Sequence, residues 1–211
     1  MKEQKITTGT KIFCDMDGVL VNFEDYVIGL LNNLLDGGKL PGTKRSKSYY
    51  IKLTNLQKEM GNGWRASSGK DLQIKHVRNF MFSVIGQNPG HVYANMNSYP
   101  DAIEKLWPFL NSTGRQVSLL SAPIRARDSA PMTSEEGKTI WAKRLDPQPA
   151  SIIIKPAKRK HEHAVVDGIS NVLIDDKKET IDSWIKSGGI GILHEQGNSI
   201  KTIRALISAG I

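Results

Sequence analysis

The sequence predicts a doubly wound α/β fold, with a mostly parallel sheet and a mostly helical insert after the first strand. Three observations predict it. Five short apolar runs, 11–15, 116–121, 151–154, 171–175 and 189–193, have the continuous apolar character of strands buried on both faces. Amphipathic helical stretches separate the last four, the alternation that builds a parallel sheet. About a hundred residues lie between the first two runs, too many for one crossover helix.

The first strand runs into Asp15 and Asp17, with Gly18 directly after them. Residues two apart on a strand point the same way, so the two carboxylates can leave the strand tip together. Gly18 allows a sharp turn there. A helix over 21–35 follows. The segment 37–70 is rich in Gly, Ser, Lys and Tyr, and a further helix is expected over about 71–85. Residues 22–97 therefore read as an inserted cap, and residues 1–21 with 98–211 as the core. In the core, 100–111 carries Ile103, Leu106, Trp107 and Leu110 on one helical face. The stretch 134–145 carries Ile140, Trp141 and Leu145, and Thr133 followed by Glu136 is a capping-box signal. The stretch 178–187 carries Ile181, Trp184 and Ile185 and stops at Gly188-Gly189. A last helix spans 198–209.

The chain has 211 residues, 39% of them apolar, and a formal charge of +8. Its single cysteine, Cys14, excludes an internal disulfide. It has no apolar run of membrane-spanning length and no apolar leader at its N-terminus. A cytoplasmic protein, monomer or homodimer, without a membrane partner is expected. Ten Lys or Arg stand against three Asp or Glu between Asp36 and Arg78, a surplus of seven. Such a segment attracts anions. Nucleic acid is one candidate partner, but no nucleic-acid motif accompanies the charge, and a small phosphomonoester is favoured over it.

Ligands of open α/β sheets bind beyond the carboxyl ends of the strands. Those ends deliver, in order, Asp15 with Asp17, then Ser121-Ala122, then a basic loop holding Lys155, Lys158 and Lys160, then Asp175 with Asp176. Close acid pairs need a cation or a shared proton between them. An EF-hand is excluded, since Val19 and Tyr26 occupy its fifth and twelfth positions. A zinc site at His161, Glu162 and His163 lacks further ligands at useful spacing.

This ordered set resembles the haloacid dehalogenase superfamily of phosphohydrolases, whose core is Rossmann-like. Asp15-Met-Asp-Gly-Val19 is similar to its first motif, Ser121 to its second, a lysine after the third strand to its third, and Asp175-Asp176 to its fourth. Within the superfamily, the stretches 15–24, 136–141 and 172–176 resemble the 5'(3')-deoxyribonucleotidases; the cap matches them poorly. The resemblance implies a magnesium-dependent phosphatase, a 5'-nucleotidase acting on nucleoside monophosphates through an aspartyl-phosphate. Asp15 would be the nucleophile and Asp17 the acid and base. Asp15, Asp17 through its carbonyl, and Asp175 would hold Mg2+, with Asp176 beside them orienting the lysine or a water of the ion's shell. Ser121, the Ala122 backbone and Lys138 would bind phosphate, and Phe23 would stack on a base. The lysine stays open. Spacing from the strand favours Lys158, while Lys160 standing four residues before Ala164 matches phage-type and bacterial relatives and is slightly preferred. Two alternatives are a phosphatase for nucleic-acid ends or sugar phosphates, and a non-catalytic nucleic-acid-binding protein with a vestigial site. A dehalogenase has no leaving alcohol for Asp17 to protonate.

Overall fold

A computed structural model describes residues 6–61 and 63–211. In chain order they form β1 (Ile12–Cys14), α1 (Phe23–Leu35), α2 (Lys47–Met60), α3 (Gly69–Gln73), α4 (Lys75–Ile85), α5 (Pro89–Ala94) and a π-helical turn (Ala102–Leu106) that runs into α6 (Trp107–Ser112). Next come β2 (Val117–Ser121), α7 (Ser134–Ala142), β3 (Ile152–Ile154), a 3-10 helix (Ala157–His163) and the short hairpin β4 (Val165–Val166) and β5 (Ile169–Ser170). β6 (Val172–Asp175), α8 (Lys178–Lys186), β7 (Ile190–Leu193) and α9 (Ser199–Ser208) complete the chain. Two compact units result. The first gathers the chain up to Asn22, Asn97–Pro123 and Ala142–Ile211; the second is Phe23–Met96 with Ile124–Trp141.

The first unit holds the expected parallel sheet, in the order β3-β2-β1-β6-β7. All five expected strands form, each within its predicted run, and β1, β2 and β6 are buried throughout. The strand order reverses at β1, which opens a crevice at the carboxyl ends of β1 and β6. Register finishes the placement. Cys14 pairs with Leu119 on one side and Ile174 on the other, so Asp15 and Asp175 leave the sheet side by side.

Packing on the sheet follows from a few large side chains. Phe13, Leu120, Leu173, Ile181 and Trp184 form one buried cluster, with Trp184 edge-on to Phe13 at 5.7 Å. The Trp184 indole N–H donates to the Asn171 carbonyl at 3.1 Å, which satisfies its one polar atom. Ile185, expected on the same face, is instead exposed, as is Ile140 on α7. The π-turn has a local cause: Pro108 has no N–H to donate and its ring crowds the carbonyl four residues back. The Trp107 N–H bonds to Ala102 one residue further away than in an α-helix.

The second unit is helical. α2 and α4 meet through Tyr49 and Phe80, ring centroids 5.6 Å apart. The Asn32 side chain of α1 exchanges two hydrogen bonds with the Ala66 backbone, at 2.9 and 3.0 Å. The expected helix over 71–85 divides at Ile74, whose ψ of 126° is extended. α2 lies in the segment that had been given no structure: Ser46 caps it, and only Tyr49 and Leu56 are buried along it, so its apolar period is faint. Residues 124–141, placed with the core by sequence, pack within this unit. Gly137 meets Gly90 so closely that a Cβ would lie 2.2 Å from the Gly90 carbonyl oxygen. The Trp141 indole donates to the Met96 carbonyl at 3.0 Å, and Arg127 N–H to the Gly86 carbonyl at 2.7 Å. The Thr133–Glu136 capping box forms as expected, with Thr133 N–H to Glu136 at 2.7 Å and Glu136 N–H to Thr133 at 3.3 Å.

Among the described residues, no helix is long and apolar enough to cross a membrane.

Candidate active site

The site is assembled within the first unit, at the tips of β1 and β6. Each strand ends in a carboxylate whose first oxygen is pinned by a backbone N–H just downstream. Met16 N–H donates to Asp15 Oδ1 at 2.7 Å, and Lys177 N–H to Asp175 Oδ1 at 2.9 Å. The second oxygens face one cation. Lys160 Nζ lies 2.9 Å from Asp15 Oδ2 and 2.7 Å from Asp175 Oδ2, with all three side chains buried.

Of the three candidate lysines, Lys160 is the one inside this cluster. Lys155 pairs with Glu162 at 3.1 Å, and Lys158 is exposed on the same turn. The cause is the 3-10 helix, whose three-residue repeat sets which side chain returns to the strand tips.

Burial and the Asp15 charge push the Asp175 carboxyl up to about 6, against the pull of Lys160. Burial, then Asp15, also raises Asp176. Burial works against the Lys160 ammonium, but the two carboxylates outweigh it and its pKa ends above the usual lysine value. Cys14 directly precedes Asp15, and burial followed by the Asp15 charge drives its thiol well above its ordinary value, which keeps it inert.

Asp176 completes an acid triad. One oxygen from each of Asp15, Asp175 and Asp176 lies within 4.8 Å of the others. Asp176 Oδ2 accepts from Gln196 Nε2 at 3.2 Å, and Gln196 in turn accepts from the Tyr99 hydroxyl at 3.3 Å. Asp176 Oδ1 is buried with no hydrogen-bond partner. A buried carboxylate oxygen is costly in that state unless a cation takes it. An all-oxygen donor set with such an orphan fits a hard divalent ion.

Gly18 frames the triad. The turn after β1 is closed by Val21 N–H to the Met16 carbonyl at 2.8 Å and Gly18 N–H to the Val21 carbonyl at 3.0 Å. Asp17, half-buried, lies on it. Ser121 ends β2, fully buried, and the half-buried Ala122 follows.

Phe23 and Lys138 lie in the second unit. Lys138 is fully buried, with Nζ 4.1 Å from the centroid of the Tyr93 ring; the Phe23 ring centroid is 6.2 Å from that of Tyr93. They thus share Tyr93 as a neighbour. Gln196 and Tyr99 were missed from sequence. The available signal for Gln196 was a polar residue just beyond the carboxyl end of the last strand.

No family model and no curated protein matches the sequence. Solved structures do. A haloacid dehalogenase-like family hydrolase from Streptococcus pneumoniae superposes with a TM-score of 0.51 at 15% identity, covering 98% of this chain and 100% of that one. A second hydrolase, from Streptococcus pneumoniae TIGR4, gives 0.49 at 11% identity, with 96% and 100% covered. A phosphonoacetaldehyde hydrolase-like protein from Oleispira antarctica gives 0.45 at 15% identity, with 93% and 77% covered. At these identities the likeness is one of fold: the chain has the Rossmann-like α/β fold of the haloacid dehalogenase-type hydrolases.

Proposed function

We propose that this chain is a magnesium-dependent phosphomonoesterase acting on nucleoside monophosphates, with deoxyribonucleotides as the favoured substrates. The observation that carries the chemistry is the convergence of Asp15, Asp175 and Asp176 within 4.8 Å, with Lys160 bridging the first two. The nucleotide preference rests on the sequence resemblance of the stretches 15–24, 136–141 and 172–176.

Asp15, Asp175 and Asp176, with the Asp17 carbonyl, would hold Mg2+, which when bound offsets phosphate charge and helps align the phosphoryl group. The residues supply the rest. Asp15 attacks phosphorus, the bond to the leaving oxygen breaks, and Asp17 gives that oxygen its proton. Asp17 then takes a proton from water as the water attacks phosphorus; the acyl phosphate bond breaks and inorganic phosphate leaves. Lys160 holds Asp15 in place and neutralises part of the acid cluster. Ser121 and the Ala122 backbone bind phosphoryl oxygens.

Phosphate release from a panel of deoxyribonucleoside monophosphates, a 3'-phosphorylated oligonucleotide and sugar phosphates, with and without Mg2+, tests this. Mg2+-dependent release from the mononucleotides is expected. Release from the oligonucleotide alone overturns the substrate, and no release from any overturns the activity. Asp15→Asn should abolish turnover with the fold retained. Asp17→Asn should slow it by ~10²–10⁴.

A further inference from the structure

The second unit carries a concentrated positive charge. Its segment from Asp36 to Arg78 has ten Lys or Arg against three Asp or Glu. Two of those acids are engaged locally: Asp36 pairs with Arg65, and Asp71 accepts the Ser67 and Ser68 backbone N–H groups. Helices α2 and α4, neighbours through Tyr49 and Phe80, present much of the surplus. On α2 the helical repeat aligns the exposed residues Lys47, Ile51, Thr54 and Lys58, with Tyr50 at the flank. On α4 it aligns the exposed residues Lys75, Arg78, Asn79 and Phe82. α4 contains no acid and α2 only Glu59. Lys47 and Lys75 each open their helix, where the macrodipole repels a cation, so helix stability does not account for them.

Aromatic rings stand among these cations. Tyr50 is 51% exposed and Phe82 48% exposed. Tyr50 is held perpendicular to the buried Tyr49 ring at 5.4 Å, which limits its motion. An acidic peptide would use the charges and leave the rings without a matching face. A single nucleic-acid strand uses both, through its phosphates and its unpaired base faces. A duplex hides those faces.

We propose that the outward faces of α2 and α4 bind single-stranded nucleic acid, independently of the chemistry at Asp15. Fluorescence anisotropy of the full chain with a labelled oligo(dT) of about 20 nucleotides, longer than the ~4–16 that single-strand modules cover, measures it. Contacts from Lys47, Lys58, Lys75 and Arg78 should give a slope of log K against log salt of about −3, from ~0.7 per phosphate contact. Lys47→Ala with Lys58→Ala should reduce that slope by about 1.4. Tyr50→Ala should weaken binding about 5-fold or more with the slope unchanged. Phe82→Ala gives the same reading on α4 should Tyr50→Ala disturb Tyr49; circular dichroism reports whether it does. Failure to bind the strand at low salt overturns the proposal. So does equal binding of duplex unaffected by both aromatic substitutions, and so does binding confined to phosphatidylserine vesicles.

Discussion

Gly18 has a φ of +78°, and a Cβ built on it would lie 2.3 Å from Asp176 Oδ2 and 3.0 Å from Gln196 Nε2. Gly18→Ala therefore meets two penalties, ~1–2 kcal/mol for the left-handed backbone and a displaced Asp176 carboxylate. Its Mg2+ affinity by titration calorimetry should fall at least about tenfold, the equivalent of ~1.4 kcal/mol. Unchanged affinity would remove Asp176 from the metal set. Lys160 poses the opposite case, a cation whose loss exposes two buried acids to each other. Lys160→Met should cost ~3–5 kcal/mol at neutral pH. The pH dependence has a defined sign. Asp175 has a folded value of about 6, above the ~3.9 of an unfolded aspartate. Its contribution favours folding below that interval and is lost as pH rises through it. Without Lys160 the folded value climbs further, so urea midpoints of the variant should fall more steeply between pH 5 and 8 than those of the parent. Parallel curves would show that Lys160 does not set the Asp175 environment.

At the level of elements, α7 depends on a capping box and on a close backbone approach. Thr133→Ala should cost ~1 kcal/mol in thermal or urea unfolding, and equal stability would show that the box contributes nothing. The strands of the sheet were legible because burial on both faces leaves a continuous apolar run, as in Val172–Ile174 of β6. The acid pairs were legible because they follow those runs directly. α2 was not, since its polar composition hides the apolar period; its one clear cue was Ser46 ahead of it. The lysine could not be assigned by counting from β3, because the count depends on knowing that 157–163 winds as a 3-10 helix. Residues 124–141 join the second unit through Gly137, Trp141 and Arg127, contacts between positions about 40 to 50 apart in sequence that no local pattern carries. Gln196 reaches Asp176 across twenty positions in the same way.

For the whole molecule, metal binding and stability should be linked. A ligand that binds only the folded chain adds ~2.7 kcal/mol at a hundred times its Kd. Protons compete for Asp175, whose carboxyl titrates at about 6 in the absence of the ion. The Mg2+-induced rise in Tm should therefore be small at pH 5 and larger at pH 7, and vanish with a chelator. An equal rise at both values would place the ion elsewhere. β1 has a further consequence. It is three residues long, yet it lies at the centre of the sheet with a partner on either side. Its ladder draws on both: Ile12 N–H reaches the Gln116 carbonyl and Asp15 N–H the Ile174 carbonyl, each at 2.9 Å. Each of these amide protons is held by one neighbouring strand, and because β1 is central that neighbour must itself peel from the interior of the sheet before the proton can trade for deuterium. The Asp15 amide should thus be among the last to pick up the heavy isotope, and its exchange rate should serve as a clock for global unfolding, read at the residue proposed as the nucleophile.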